Sequence, residues 1–178
     1  MMNIYEKIVD IGEAFGFKVG KLNVKTIEVR QEIRMMCEKN ICGMYALNWS
    51  CPPGCGSLKE CQKKISKYTQ GILVQTIGDT EDEFDVEGML EIERRHKEAF
   101  LKFYEELKTY FSDVLALGSG CCTRCLKCSY PDMACRFPDQ QISSMEAYGI
   151  LVLQVCRDNQ MDYYYGPKKI AYTGCFLF

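Results

Sequence analysis

The sequence predicts an α/β (α+β) sandwich: a mixed sheet of about four strands with helices packed on one main face, ferredoxin-like in style, carrying two cysteine-rich ligand loops. Three observations predict it. Helical and strand-like apolar patterns alternate along the chain. Glycine and proline cluster between those patterns. Most of the twelve cysteines gather in two such clusters. With no internal repeat, low-complexity tract or linker, residues 1–178 read as a single metal-binding domain.

Each element follows from its own pattern. Ile4, Ile8, Ile11 and Phe15 recur at helical spacing, which predicts an opening helix over 3–15 that Gly16 can end. Val19, Leu22 and Val24 mark a short strand over 18–24. The run Ile27–Met36 mixes β-branched and charged residues and has no assignable type. Ser57-Leu-Lys-Glu60 is a capping box, opening a helix of about residues 58–68 whose Leu58, Cys61, Ile65 and Tyr68 share one face. Ile72–Ile77 is a strand, followed by an acidic loop over 78–85. Met89, Ile92, His96, Ala99, Phe100, Phe103, Leu107 and Tyr110 trace the longest helix. Val114–Leu117 is a buried strand running into Gly118-Ser-Gly120. Ser143-Ser-Met-Glu146 is a second capping box, predicting a helix that carries Met145, Tyr148, Val152 and Val155. Strands over 161–165 and 169–178 flank the turn at Gly166-Pro167.

A net charge of −2 gives no reason to expect nucleic acid or an anionic membrane as partner. No stretch approaches the ~20 apolar residues that span a bilayer. The N-terminal residues lack the basic start and unbroken apolar core of a signal peptide, so the expected compartment is the cytoplasm. Disulfides do not persist there, and clustered cysteines bind metal or do redox chemistry instead.

The second block, Cys122, Cys125, Cys128 and Cys135, has the spacing C-x2-C-x2-C-x6-C. Structural zinc takes two C-x2-C pairs set far apart. Three closely consecutive cysteines instead wrap one corner of an iron–sulfur cubane, as in bacterial ferredoxins. The fourth cysteine here is displaced from the ferredoxin position, and Pro138 follows it by three residues. The first block, Cys37, Cys42, Cys51 and Cys61, reads C-x4-C-x8-C-x9-C. Four soft ligands in a Gly/Pro-rich segment favour iron–sulfur or zinc over hard cations. Cys55 can stand in for Cys51 or Cys61; the inward helical face favours Cys61, and Pro52-Pro53 fixes the loop at Cys51. The two blocks can also exchange a ligand, as two-cluster ferredoxins do.

Cys156 and Cys175 read as spare buried thiols, and Cys121 as a spare thiol next to a ligand. Arg124, Lys127 and Arg136 put positive charge inside the second block. His96 reads as a satisfied or partly exposed helix histidine. Trp49, Tyr45 and Tyr130 are aromatic neighbours that can shield a cluster. There is no Walker A motif, dinucleotide fingerprint, HExxH or hydrolase signature, and Gly118-Ser-Gly120 is too short to indicate a nucleotide.

The phrases Cys37-x4-Cys42-Gly-Met-Tyr45, Trp49-Ser-Cys51-Pro-Pro53, Ser57-Leu-Lys-Glu-Cys61, Cys122-x2-Cys125-x2-Cys128, Cys135-Arg-Phe-Pro138 and Ser144-Met-Glu-Ala-Tyr-Gly149 carry a resemblance. From about residue 30 onward the chain resembles a family of small, mostly bacterial and archaeal proteins described as predicted metal-binding proteins, a domain of unknown function. The resemblance implies that the eight cysteines of the two sets are shared by the family. Cys55 and Cys121 fall where the family pattern requires none.

The expected function is that of a cytoplasmic iron–sulfur protein with two [4Fe–4S] clusters, passing electrons to a partner redox enzyme. Two other functions stay open. One is a redox enzyme whose site-differentiated cluster binds substrate or sulfide. The other is a zinc-binding interaction module.

Overall fold

The computed structural model describes residues 3–178. In chain order it contains α1 (Ile4–Ala14), β1 (Lys18–Leu22), α2 (Gln31–Glu38), α3 (Leu58–Ile65), β2 (Gly71–Asp79), α4 (Val86–Leu107), β3 (Leu115–Gly118), β4 (Ser143–Ser144), α5 (Val152–Asp158) and β5 (Lys169–Leu177). The sheet is mixed and has five strands in the order β1-β2-β5-β3-β4. Only β3 and β4 run parallel. The last strand therefore lies in the middle, pairing with β2 from Gly71↔Leu177 to Asp79↔Lys169 and with β3 from Leu115↔Leu177 to Leu117↔Cys175.

Strand alternation sends side chains to two cores, and this corrects the expectation of helices on one main face. Ile72, Val74, Ala116 and Phe176 face one way, onto Ile8 of α1 and Phe100, Phe103 and Leu107 of α4. Leu73, Leu117, Cys175 and Leu177 face the other, onto Cys61 and Ile65 of α3 and Val152, Val155 and Cys156 of α5. The α4 interface is aromatic: Phe100 stacks on Phe176 with centroids 4.2 Å apart.

The other differences from expectation are local. The untyped run 27–36 contains α2, whose N-cap Arg30 supplies no side-chain cap. Its entry is held from outside, by Arg30 N–H donating to Gly149 O at 2.8 Å and a bridge between Val29 and Ile150. The predicted helix from Ser143 is interrupted. Ser143 and Ser144 pair with Leu117 and Gly118, a single 3-10 turn follows over Glu146–Tyr148, and Gly149 takes a left-handed φ of 76°. Helix begins only at Val152. Residues 161–165 are not a strand. They are latched across the sheet by the fully buried Gln75, whose Nε2 donates to Asp162 O (2.8 Å) and whose Oε1 accepts from Tyr165 O–H (2.6 Å). Among the described residues no helix is long and apolar enough to cross a membrane.

Candidate metal centre

The first cysteine block begins in the last turn of α2 with Cys37 and ends on α3 with Cys61. Between them the backbone doubles back through left-handed residues at Asn40, Gly43, Ala46 and Gly56 (φ 53°, 72°, 55° and 98°). Alanine is strained in that region. Ala46 is held there by its N–H donating to Pro52 O at 2.8 Å. The block closes on the capping box read from the sequence, with Glu60 N–H donating to Ser57 Oγ and Ser57 N–H to Glu60 Oε2.

The second block leaves β3 at Gly118 and runs through residues 119–137 without helix or strand. Its own polar groups pin it. Ser129 Oγ donates to Ala134 O at 2.8 Å, and Met133 N–H returns to Ser129 O at 3.0 Å. Arg136 donates to Lys127 O across the cysteine run. Arg124 lies over the Phe137 ring, 4.6 Å from its centroid.

The two blocks are joined. Cys122 N–H donates to Ser50 Oγ at 2.9 Å, and that hydroxyl donates in turn to Asn48 Oδ1 at 2.6 Å. Trp49 Nε1 donates to Met133 O at 3.0 Å, and the indole meets Tyr130 edge-on with centroids 4.9 Å apart. Gln141 Nε2 donates to Trp49 O at 2.7 Å. Gly54 lets this joint close: a Cβ there would stand 2.7 Å from Asn48 O and 3.0 Å from the Tyr130 ring.

Within this frame the eight cysteines differ. Cys37, Cys51, Cys122, Cys125, Cys128 and Cys135 are half-buried, Cys42 is exposed and Cys61 is buried. Among the described residues, no three Cys, His, Asp or Glu side chains converge closely enough to grip a metal ion as they stand. Burial pushes the Cys37 and Cys51 thiols up. Cys42 is a lesser influence on both Cys37 and Cys51, and Cys121 acts on Cys51 from across the joint. The donor set is soft throughout and lies on two adjoining irregular loops and the helix ends that frame the first of them, which fits a thiophilic metal.

Cys61 has a different partner set. Its Sγ lies 3.4 Å from Arg34 Nη2, and Arg34 Nη1 donates to Gly56 O at 2.9 Å. Cys55 lies beside it, with Cys61 Sγ 3.9 Å from Cys55 O, and this contact, followed by Arg34, pulls the Cys61 thiol below its ordinary range. The same contact, followed by burial, pushes the Cys55 thiol up, so of the two it is Cys55 that keeps the proton. Cys55 also points at Ala147 O, 3.6 Å away. Arg34 was not singled out by sequence reasoning. Its one signal is a basic residue three positions before Cys37, visible only once 31–38 is known to be helical.

Of the remaining thiols, Cys156 and Cys175 are packed in the core; burial pushes both up, Cys156 to about 11. Cys121 is half-buried next to Cys122, and burial raises it as well. His96 is fully buried with Nδ1 2.9 Å from Thr76 Oγ1.

Residues 20–178 match the model of a family described as predicted metal-binding protein (DUF2284), and the chain belongs to that family. No curated protein and no solved structure matches it.

Proposed function

We propose that this member of a metal-binding family is a cytoplasmic electron carrier holding two [4Fe–4S] clusters. Cys37, Cys42, Cys51 and Cys61 are the ligands of one, and Cys122, Cys125, Cys128 and Cys135 those of the other. The observation that carries the reading is the joint between the blocks, Cys122 N–H on Ser50 Oγ at 2.9 Å, one residue from Cys51. Two independent structural staples have no need of such a joint, whereas an electron path between two centres does. A bound cubane supplies one-electron steps at a potential set by the charge and hydrogen bonds around its thiolates.

The chain's own residues supply that surrounding. Arg34 gives the Cys61 thiolate a hydrogen-bond donor and a buried positive charge. Arg124, Lys127 and Arg136 add positive charge around the second block, which raises the potential of an anionic thiolate centre. Both loops also present apolar side chains outward. Ile41, between Cys37 and Cys42, is 89% exposed, and Leu126, between Cys125 and Cys128, is fully exposed. Such side chains beside a ligand suit a short-lived contact with a redox partner protein.

Anaerobic purification with counting of iron, acid-labile sulfide and zinc tests the reading. About eight irons and about eight sulfides per chain are expected, with broad absorption near ~400 nm. A colourless protein with about two zincs overturns it. In the iron-loaded protein, Cys61→Ser should lower the iron content, whereas Cys55→Ser should leave it unchanged.

A further inference from the structure

Beside the second cysteine block lies a cavity of about 420 Å³. It is bounded by α4 on one side and by the turn Gly118–Arg124 with Gln140 and Ile142 on the other. Its volume is in the range of small-molecule sites. Phe100, Leu101 and Ile142 give it an apolar wall.

Two residues of its lining carry buried polar atoms that lack partners. His96 is fully buried and its Nε2 has no hydrogen bond, although Nδ1 is engaged by Thr76. Whichever way the Thr76 bond runs, Nε2 has one hydrogen bond left to make. Gln140 Oε1, an acceptor, is likewise buried and unpaired. Such groups are rare in folded proteins, and each calls for a partner. Burial holds the His96 imidazole neutral, down at about 4, so it presents a hydrogen bond and not a charge.

The charges of the lining leave a remainder. Lys97 is paired with Glu93 at 2.6 Å, and Gly120 lets the turn press against that pair: a Cβ there would stand 2.9 Å from Glu93 Oε1. Arg94 is paired with Glu91 and Glu98. Arg124 has no carboxylate partner among the described residues and rests on Phe137. One planar cation is therefore unmatched, and guanidinium suits a carboxylate.

The geometry points to a binding site for a small hydroxycarboxylate: an organic monoanion whose carboxylate meets Arg124, whose hydroxyl serves the orphaned Gln140 and His96 atoms, and whose apolar body lies on Phe100, Leu101 and Ile142. Cys121 and Cys122 also line the cavity, so the ligand lies against the candidate metal centre. The inference does not depend on which metal the cysteines take.

Titration calorimetry on the intact, anaerobically purified chain tests it, with lactate, 2-hydroxy-4-methylpentanoate and mandelate as probes. At least one is expected to bind saturably with Kd below about 1 mM. Arg124→Gln, at unchanged metal content, should weaken that binding roughly tenfold or more. Ile142→Trp, which fills the cavity from its apolar wall and leaves every cysteine in the sequence, should abolish it. Three results overturn the inference: no saturable binding of any probe, equal binding of the corresponding neutral amide, or unchanged binding in Ile142→Trp. A protein with zinc in place of iron that still binds a probe overturns the electron-carrier reading and leaves the cavity site standing.

Discussion

His96 is the chain's one histidine, and its surroundings make it a pH-sensitive element of stability. It sits among Phe17, Phe100 and Tyr172, with ring centroids between 5.6 and 6.0 Å away. Burial, and secondarily the Lys97 charge, hold its imidazole near 4 against an ordinary value of about 6.5. The unfolded chain takes up a proton as pH falls below about 6.5, while the folded chain resists until about 4. Stability from this group is therefore full above pH ~6.5 and is lost as pH falls towards ~4, a loss of about 3 kcal/mol. Urea unfolding of wild type and His96→Gln between those pH values checks this. The variant, although less stable throughout, should lack that part of the pH dependence. Read from the sequence, His96 lies on the inner edge of a helix and is satisfied or partly exposed. It is fully buried and only Nδ1 is satisfied, because the group that would pair with Nε2 depends on how distant segments border the cavity.

At the scale of elements, the local signals that succeeded are those completed locally. The box at Ser57 and Glu60 produced α3 because both of its hydrogen bonds form within four residues. The same signature at Ser143 and Glu146 did not produce a helix. Pairing of Ser143 and Ser144 with β3 and the left-handed Gly149 override it. α2 was illegible for the converse reason: its start is fixed by Gly149 O, over a hundred residues away in sequence. Close approach of elements is equally hidden from the sequence. Gly174 in β5 lies under α4, where a Cβ would fall 2.5 Å from Phe100 Cε2 and 2.9 Å from the backbone oxygen of Leu117. The oxygen belongs to a paired strand and cannot move aside. Gly174→Ala should destabilise by about 1–3 kcal/mol. In calorimetry that is a fall of roughly 3–10 °C in Tm, with little change in the native circular dichroism.

For the whole molecule, the cysteine blocks were legible from spacing, but their union was not. The hydrogen bonds that join them span 72 and 84 residues of sequence. Trp49 carries one of these links through its ring nitrogen, and its carbonyl is held by Gln141 just beyond the second block. Trp49→Ala should lower the metal content of both blocks together, by roughly half or more, while far-UV circular dichroism of the sheet and helices persists. Counting metal in this variant and in Cys125→Ser checks it; loss confined to the first block would show that the loops act independently. The central place of β5 has a further consequence, for synthesis. The ribosome releases the chain from its N-terminal end, and β2 and β3 cannot be bridged until residues 169–177 emerge. By then both cysteine blocks and Cys156 have left the exit tunnel without a finished sheet to hold them, and eleven thiols stand open to oxidants and stray metal ions. Nascent chains halted before residue 169 are the state in which this protein is most exposed to mismetallation.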